Sequence, residues 1–129
     1  MGVTLGRKIV KGGMAKDEKE GSYNVGSSLA SRVKAFIGIA GGNLGLITCI
    51  ESSLVPTCSN VDGFYPGLLP TSGPSKYLAD LNANGGPEAT SVYTIWSRFD
   101  DVIMGDCIVW GKITCRIHGQ KDEIVKNTI

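Results

Sequence analysis

Apolar positions along the chain follow two different periods. Over residues 27–55 they recur at Leu29, Val33, Phe36, Ile37, Ala40, Leu44, Ile47 and Leu54. The steps are mostly three and four, the helical period. Ser27 or Ser28 can cap the start by accepting a backbone N–H bond. The spacing predicts one substantial helix over 27–55, continuous or kinked. Gly38, Gly41, Gly42 and Gly45 fall inside it, and each costs about 1 kcal/mol relative to Ala in a helix interior. Close packing on a sheet or a second helix would account for them; a break near Gly41-Gly42 is the competing reading.

From residue 75 the period is two. Tyr77, Ala79 and Leu81 alternate until Asn84-Gly85-Gly86-Pro87 ends the run. Val92, Thr94 and Trp96 follow on one phase, with Tyr93, Ile95 and Phe99 on the other. Residues 107–110 and 112–117 are the last strand candidates, and the tail from His118 is polar. Between the two regimes, residues 55–75 carry Pro56, Gly63, Pro66, Gly67, Pro70, Gly73 and Pro74 and read as a long connection. Loops of that length are often functional. Residues 1–26 mix Arg7, Lys8, Lys11, Lys16 and Lys19 with Asp17, Glu18 and Glu20 and read as a flexible leader or tag. Residues 27–129 then form a single domain. The expected class is α+β: one long N-terminal helix packed on a small antiparallel β-sheet.

Composition narrows the function. At 129 residues the chain suits one domain. Hydrophobic residues at 42% against 19% charged argue for a folded core. A net charge of +1 gives no support for a nucleic-acid partner. The single histidine, His118, excludes a multi-histidine metal site, and no cofactor is expected. No apolar run approaches the length of a membrane span.

The four cysteines are Cys49, Cys58, Cys107 and Cys115. Their spacings are wider than a structural zinc site uses. Two disulfides in an oxidising compartment are the favoured reading, buried free thiols the other. Three connectivities are open. Nearest-neighbour pairing is preferred; for the second pair it requires a turn, because an extended strand would carry Cys107 and Cys115 about 26 Å apart. Trp110-Gly111 sits at the midpoint.

Several segments resemble a type IV pilin. Residues 30–36 followed by Ala40-Gly41-Gly42 are similar to the exposed half of the pilin helix. Ser75-Lys76-Tyr77-Leu78 resembles the opening of the first pilin strand, and residues 92–96 and 112–115 suit the later strands. The resemblance covers roughly residues 28–118. Its N-terminus departs from the pattern: Gly13 precedes Met14 and Glu18 is fifth from Met14, but Lys16, Asp17, Lys19 and Glu20 stand where about 20 apolar residues should begin. The resemblance implies a non-enzymatic structural subunit of an extracellular filament, a fimbrium, with a role in adhesion. It implies other pilin subunits as partners through the N-terminal helix, a possible host or surface receptor, and membrane contact only through a missing apolar N-terminal segment. Phe64, Tyr65, Leu68, Leu69 and Trp110 become the expected subunit or adhesion surface. The alternative is a small secreted disulfide-stabilised effector or enzyme, or a cytosolic binding module.

Signals for catalysis are weak at this level. Cys115 and His118 are close in sequence, but an offset of three puts them on opposite faces of a regular strand. Asp100-Asp101, with Asp106 and Asp62, could bind calcium, yet no D-x-D-x-D-G pattern exists. Adjacent aspartates in a turn read as solvated turn formers.

Overall fold

A computed structural model of the chain describes residues 1–52, 54–83 and 86–128. Residues 1–26 are not a loose leader. They fold into helix α1 (Gly2–Lys11) and an antiparallel hairpin of β1 (Met14–Asp17) and β2 (Gly21–Asn24). The buried side of α1 is polar: Thr4, Arg7 and Lys8. Arg7 Nε donates to Glu88 Oε1 at 2.7 Å, and its Nη1 donates to Asn43 Oδ1 and Asn82 Oδ1. Lys8 pairs with Asp80 at 2.9 Å. The fully buried positions of the helix are therefore polar, and basic residues that look like a solvated leader are its anchors.

The long helix over 27–55 does not form. A 3-10 turn (Ala30–Arg32) leads into strand β3 (Ala35–Ile39), and a second 3-10 turn follows at Ile47–Cys49. The glycines are set by close approaches of a different kind from helix packing. A Cβ on Gly38 would stand 3.1 Å from both Val3 Cγ1 of α1 and Ile117 Cδ1. Gly45 has φ +101°, and a Cβ there would meet the Phe64 carbonyl oxygen at 2.8 Å, a conformation and a fit that only glycine takes readily.

The alternating stretch after residue 75 is a helix, α2 (Lys76–Ala83), burying Tyr77, Leu78 and Leu81. Ser75 Oγ accepts a bond from Leu78 N–H and donates to the Gly63 carbonyl, so an N-cap fixes the helix start. Of the expected break after it, Asn84 and Gly85 lie outside the described residues. Residues 91–97 form strand β4 (Ser91–Ser97), with Val92, Thr94 and Trp96 buried. A short antiparallel hairpin of β5 (Ile108–Val109) and β6 (Lys112–Ile113) turns at Trp110-Gly111. The polar tail holds one more strand, β7 (Asp122–Lys126).

The main sheet has the order β3-β4-β7, and both pairings are parallel. This overturns the pilin-like arrangement of one long helix on an antiparallel sheet; the fold is a small α+β one with a short N-terminal helix. Parallel neighbours need long crossovers, and residues 40–90, including α2, supply the one between β3 and β4. Helix α1 covers one face through Val3 and Gly6, against Gly38 and the Phe36 ring. Beside α2 a second cluster joins Cys49, Cys58, Phe64, Tyr77, Leu78 and Leu81. A third joins Trp96, Ile103, Cys107 and Cys115.

The cysteines pair as Cys49–Cys58 and Cys107–Cys115, with Cα–Cα distances of 5.1 and 5.7 Å. Two disulfides fit an exported protein folded in an oxidising compartment. Among the described residues no helix is long and apolar enough to cross a membrane.

Candidate active site at the carboxyl edge of the sheet

In open parallel sheets, ligands bind beyond the carboxyl ends of the strands. Three elements meet that edge here. After β3 the chain turns through Ala40, a non-glycine residue at φ 51°, whose N–H still bonds the Ile95 carbonyl. The N-terminus of α1 is at the same edge: a Cβ on Gly41, just past β3, would stand 2.8 Å from Val3 Cγ1. Met1, Gly2 and Val3 line a groove of about 420 Å³ with Ile37, Ile39 and Ala40. The first N–H groups of a helix lack intrahelical partners and carry its positive dipole end.

The central strand β4 contributes the third element. Ser97 Oγ donates to the Thr128 carbonyl and accepts from Phe99 N–H. Asp100 follows. Its Oδ1 accepts the backbone N–H groups of Val102 at 2.9 Å and Ile103 at 2.7 Å. Its own carbonyl accepts Met104 N–H. Ile103 is buried in the Trp96, Cys107 and Cys115 cluster, so the turn that holds the carboxylate is anchored in the core. Asp100 Oδ2 accepts no hydrogen bond from a described residue. A carboxylate locked by one oxygen and open at the other can orient a protonated partner and stabilise positive charge on it.

His118 does not join this site. It lies before β7, at the amino edge of the sheet, in a pocket of about 360 Å³ with Arg7, Lys11, Asn82 and Glu88. It hydrogen-bonds no serine or carboxylate among the described residues. Burial pushes the Lys11 amine below its ordinary value, against the pull of the Glu88 charge. Glu88 Oε2 is buried without a partner among the described residues. Asp62, Asp100, Asp101 and Asp106 make no metal cluster: no group of three or more His, Cys, Asp or Glu converges among the described residues.

The residues expected to form a contact surface are dispersed in burial. Phe64 is in the core, Tyr65 and Trp110 are half-buried, and Leu68 and Leu69 are exposed. Trp110 Nε1 donates to the Gly67 carbonyl at 3.2 Å, which ties the 67–69 segment to the β5–β6 hairpin. Sequence reasoning named Asp100 as a turn former, and its Oδ1 does hold the turn; its place beyond a parallel strand was hidden because the sheet was expected to be antiparallel. In a parallel sheet an aspartate just past an alternating strand lies at the edge where ligands bind.

The comparison with protein families gives one finding: the model of the class 2 lipases matches residues 1–129. Comparison with curated proteins and with solved structures found no significant match. The family overturns the pilin resemblance, and with it the filament-subunit and adhesion function and the expectation of a non-enzymatic chain. It favours the enzyme half of the alternative. The sequence segments that suggested a pilin are short and common; their order was read on elements, a long helix and an antiparallel sheet, that the chain does not form. The chain belongs to the class 2 lipase family.

Proposed function

We propose that the protein works in the hydrolysis of lipid esters, at the carboxyl edge of its parallel sheet, as an exported enzyme. The observation that carries this reading is the geometry of Asp100, taken with the family. Ester cleavage by a serine-type mechanism needs a hydroxyl to attack the carbonyl and an imidazole to take its proton. A buried-side carboxylate then fixes the imidazole's tautomer and stabilises its charge, and N–H donors meet the oxyanion. Asp100 suits the carboxylate's role, with Oδ1 held by two backbone N–H groups and Oδ2 open. The α1 terminus at the same edge suits the donor's role.

The chain contains no complete G-x-S-x-G elbow, the sharp strand-to-helix turn that exposes a nucleophilic serine. No hydroxyl or imidazole among the described residues meets Asp100 Oδ2. The reading therefore gives this chain the carboxylate and the helix terminus, and takes the nucleophile and imidazole from polypeptide outside the described residues.

The test is a pH-stat titration of fatty acid released from emulsified triolein by the full-length, disulfide-bonded protein. Release above the enzyme-free blank is expected. No release from correctly folded protein, on triolein or on shorter glycerides, contradicts the reading.

A further inference from the structure

A second cavity lies at the amino edge of the sheet, away from Asp100. Its volume is about 360 Å³, and Arg7, Lys11, Asn82, Glu88 and His118 line it. Three segments fix these groups. Helix α1 supplies Arg7 and Lys11. The segment entering β4 supplies Glu88, whose Oε1 accepts from Arg7 Nε. The turn before β7 supplies His118, and Gln120 holds that turn: its Oε1 accepts from Ile117 N–H and from Thr94 Oγ1 of β4.

Two groups in this wall have hydrogen-bonding capacity left over, of opposite kinds. Lys11 Nζ donates to the Leu81 carbonyl at 2.9 Å, while Glu88 Oε1 is 3.8 Å away, too long for a hydrogen bond. An ammonium has three N–H groups, so the others find no acceptor among the described residues, on a side chain only 9% exposed. Glu88 Oε2 is buried and accepts nothing from a described residue. Buried polar groups in folded proteins are rarely left unpaired. The charge is unbalanced as well: Arg7, Lys8 and Lys11 stand against Asp80 and Glu88. Burial holds the Lys11 amine below its ordinary value; the Glu88 charge pulls it up, and the Arg7 and Lys8 charges add to the lowering. A ligand that fits carries negative charge, accepts N–H bonds and donates one proton.

We propose that this pocket binds a phosphate group that retains one proton, free or as a monoester. Its oxygens accept from Lys11 and from the His118 ring, and its O–H donates to Glu88 Oε2. Sulfate is also a tetrahedral oxyanion, but it has no proton to give, so it would set an oxygen against the Glu88 carboxylate. Neither the pocket nor its test involves hydrolysis, so the outcome is independent of the lipid-ester reading.

The chain has one histidine, and its ring resonances report on this pocket directly. The full-length, disulfide-bonded protein is titrated by NMR with inorganic phosphate, glycerol 3-phosphate and sulfate, at constant ionic strength and at about pH 6, near the second ionisation of a phosphate monoester. Saturable shifts of His118 are expected with phosphate or its monoester, and sulfate is expected to bind about tenfold or more weakly. Lys11→Gln is expected to weaken phosphate binding by about tenfold. Glu88→Gln puts a donor where Oε2 stands and is expected to bring the two affinities within about threefold of each other. A purely structural Glu88 would leave that ratio unchanged. Should Glu88→Gln fail to fold, the wild-type preference for phosphate and the Lys11→Gln variant decide the matter. Tighter binding of glycerol 3-phosphate assigns the site to esters and tighter binding of inorganic phosphate to the free ion; either supports the proposal. It is overturned by the absence of a saturable shift with both, by sulfate binding within about tenfold of phosphate in wild type, or by unchanged phosphate binding in Lys11→Gln.

Discussion

Removal of the Glu88 carboxylate tests what holds α1 to the segment that enters the central strand. Arg7 and Glu88 are each about 1% exposed and pair at 2.7 Å. The pair joins α1 to the segment entering β4. Glu88→Ala leaves the Arg7 guanidinium buried with only the two amide oxygens of Asn43 and Asn82. Breaking one side of a buried pair costs about 3–5 kcal/mol. Unfolding entropy of about 2.1 cal/mol/K per residue over 129 residues converts that cost to a drop in melting temperature of about 11–18 °C. A double variant, Arg7→Met with Glu88→Leu, removes the stranded charge as well. It leaves Asn43 Oδ1 and Asn82 Oδ1 without their donor, at about 1 kcal/mol each, so it should regain roughly half of the loss. Calorimetric melting of the two variants and wild type decides it. A Glu88→Ala variant within 1 kcal/mol of wild type, or a double variant no better than the single, would refute this account of the buried pair.

Other outcomes follow from the same geometry. Hydrogen bonds from Arg116, then Trp96 and Gln120, hold Glu123 down from its ordinary 4.5 to about 2. Its contribution to stability is therefore complete above about pH 4.5 and is lost as pH falls toward 2; Glu123→Gln should flatten that part of the stability–pH curve measured by urea unfolding. Replacing Cys107 and Cys115 with serine opens a loop of sequence separation 8 and should lower stability by about 2.5 kcal/mol, read in the same assay. Gly45→Ala should lose about 1–3 kcal/mol, because it combines positive φ with a backbone approach of 2.8 Å; a neutral change would mean that the loop relaxes freely.

The sequence showed some of this fold directly and concealed the rest for identifiable reasons. The alternation at 91–97 reads as a strand because one face of β4 is buried and the other half-covered. The turn at Trp110-Gly111 is local, and glycine marks it. Helix α1 is hidden because its packed side carries Arg7 and Lys8, whose burial depends on Glu88 and Asp80, more than 70 residues away. Strand β3 is hidden because Phe36, Ile37 and Ala40 also satisfy the helical spacing, and five residues are too few to separate the periods. Ser75 before α2 was a legible cap, outweighed by the apparent alternation of Tyr77, Ala79 and Leu81. The candidate site was least legible of all. Asp100 gains its meaning from parallel pairing between β3, β4 and β7, and parallel pairing is a non-local property that no short window contains.

The central claim is that chemistry belongs to the carboxyl edge and Asp100, and that the chain's single histidine, at the opposite edge, takes no part. The measurement is fatty-acid release from emulsified triolein by Asp100→Asn and His118→Ala variants of the full-length protein, each checked for an unchanged melting temperature. Asp100→Asn is expected to lose about 10³–10⁴-fold in turnover and His118→Ala to stay within twofold of wild type. An active Asp100→Asn variant, or an inactive His118→Ala variant that is still folded, would contradict it.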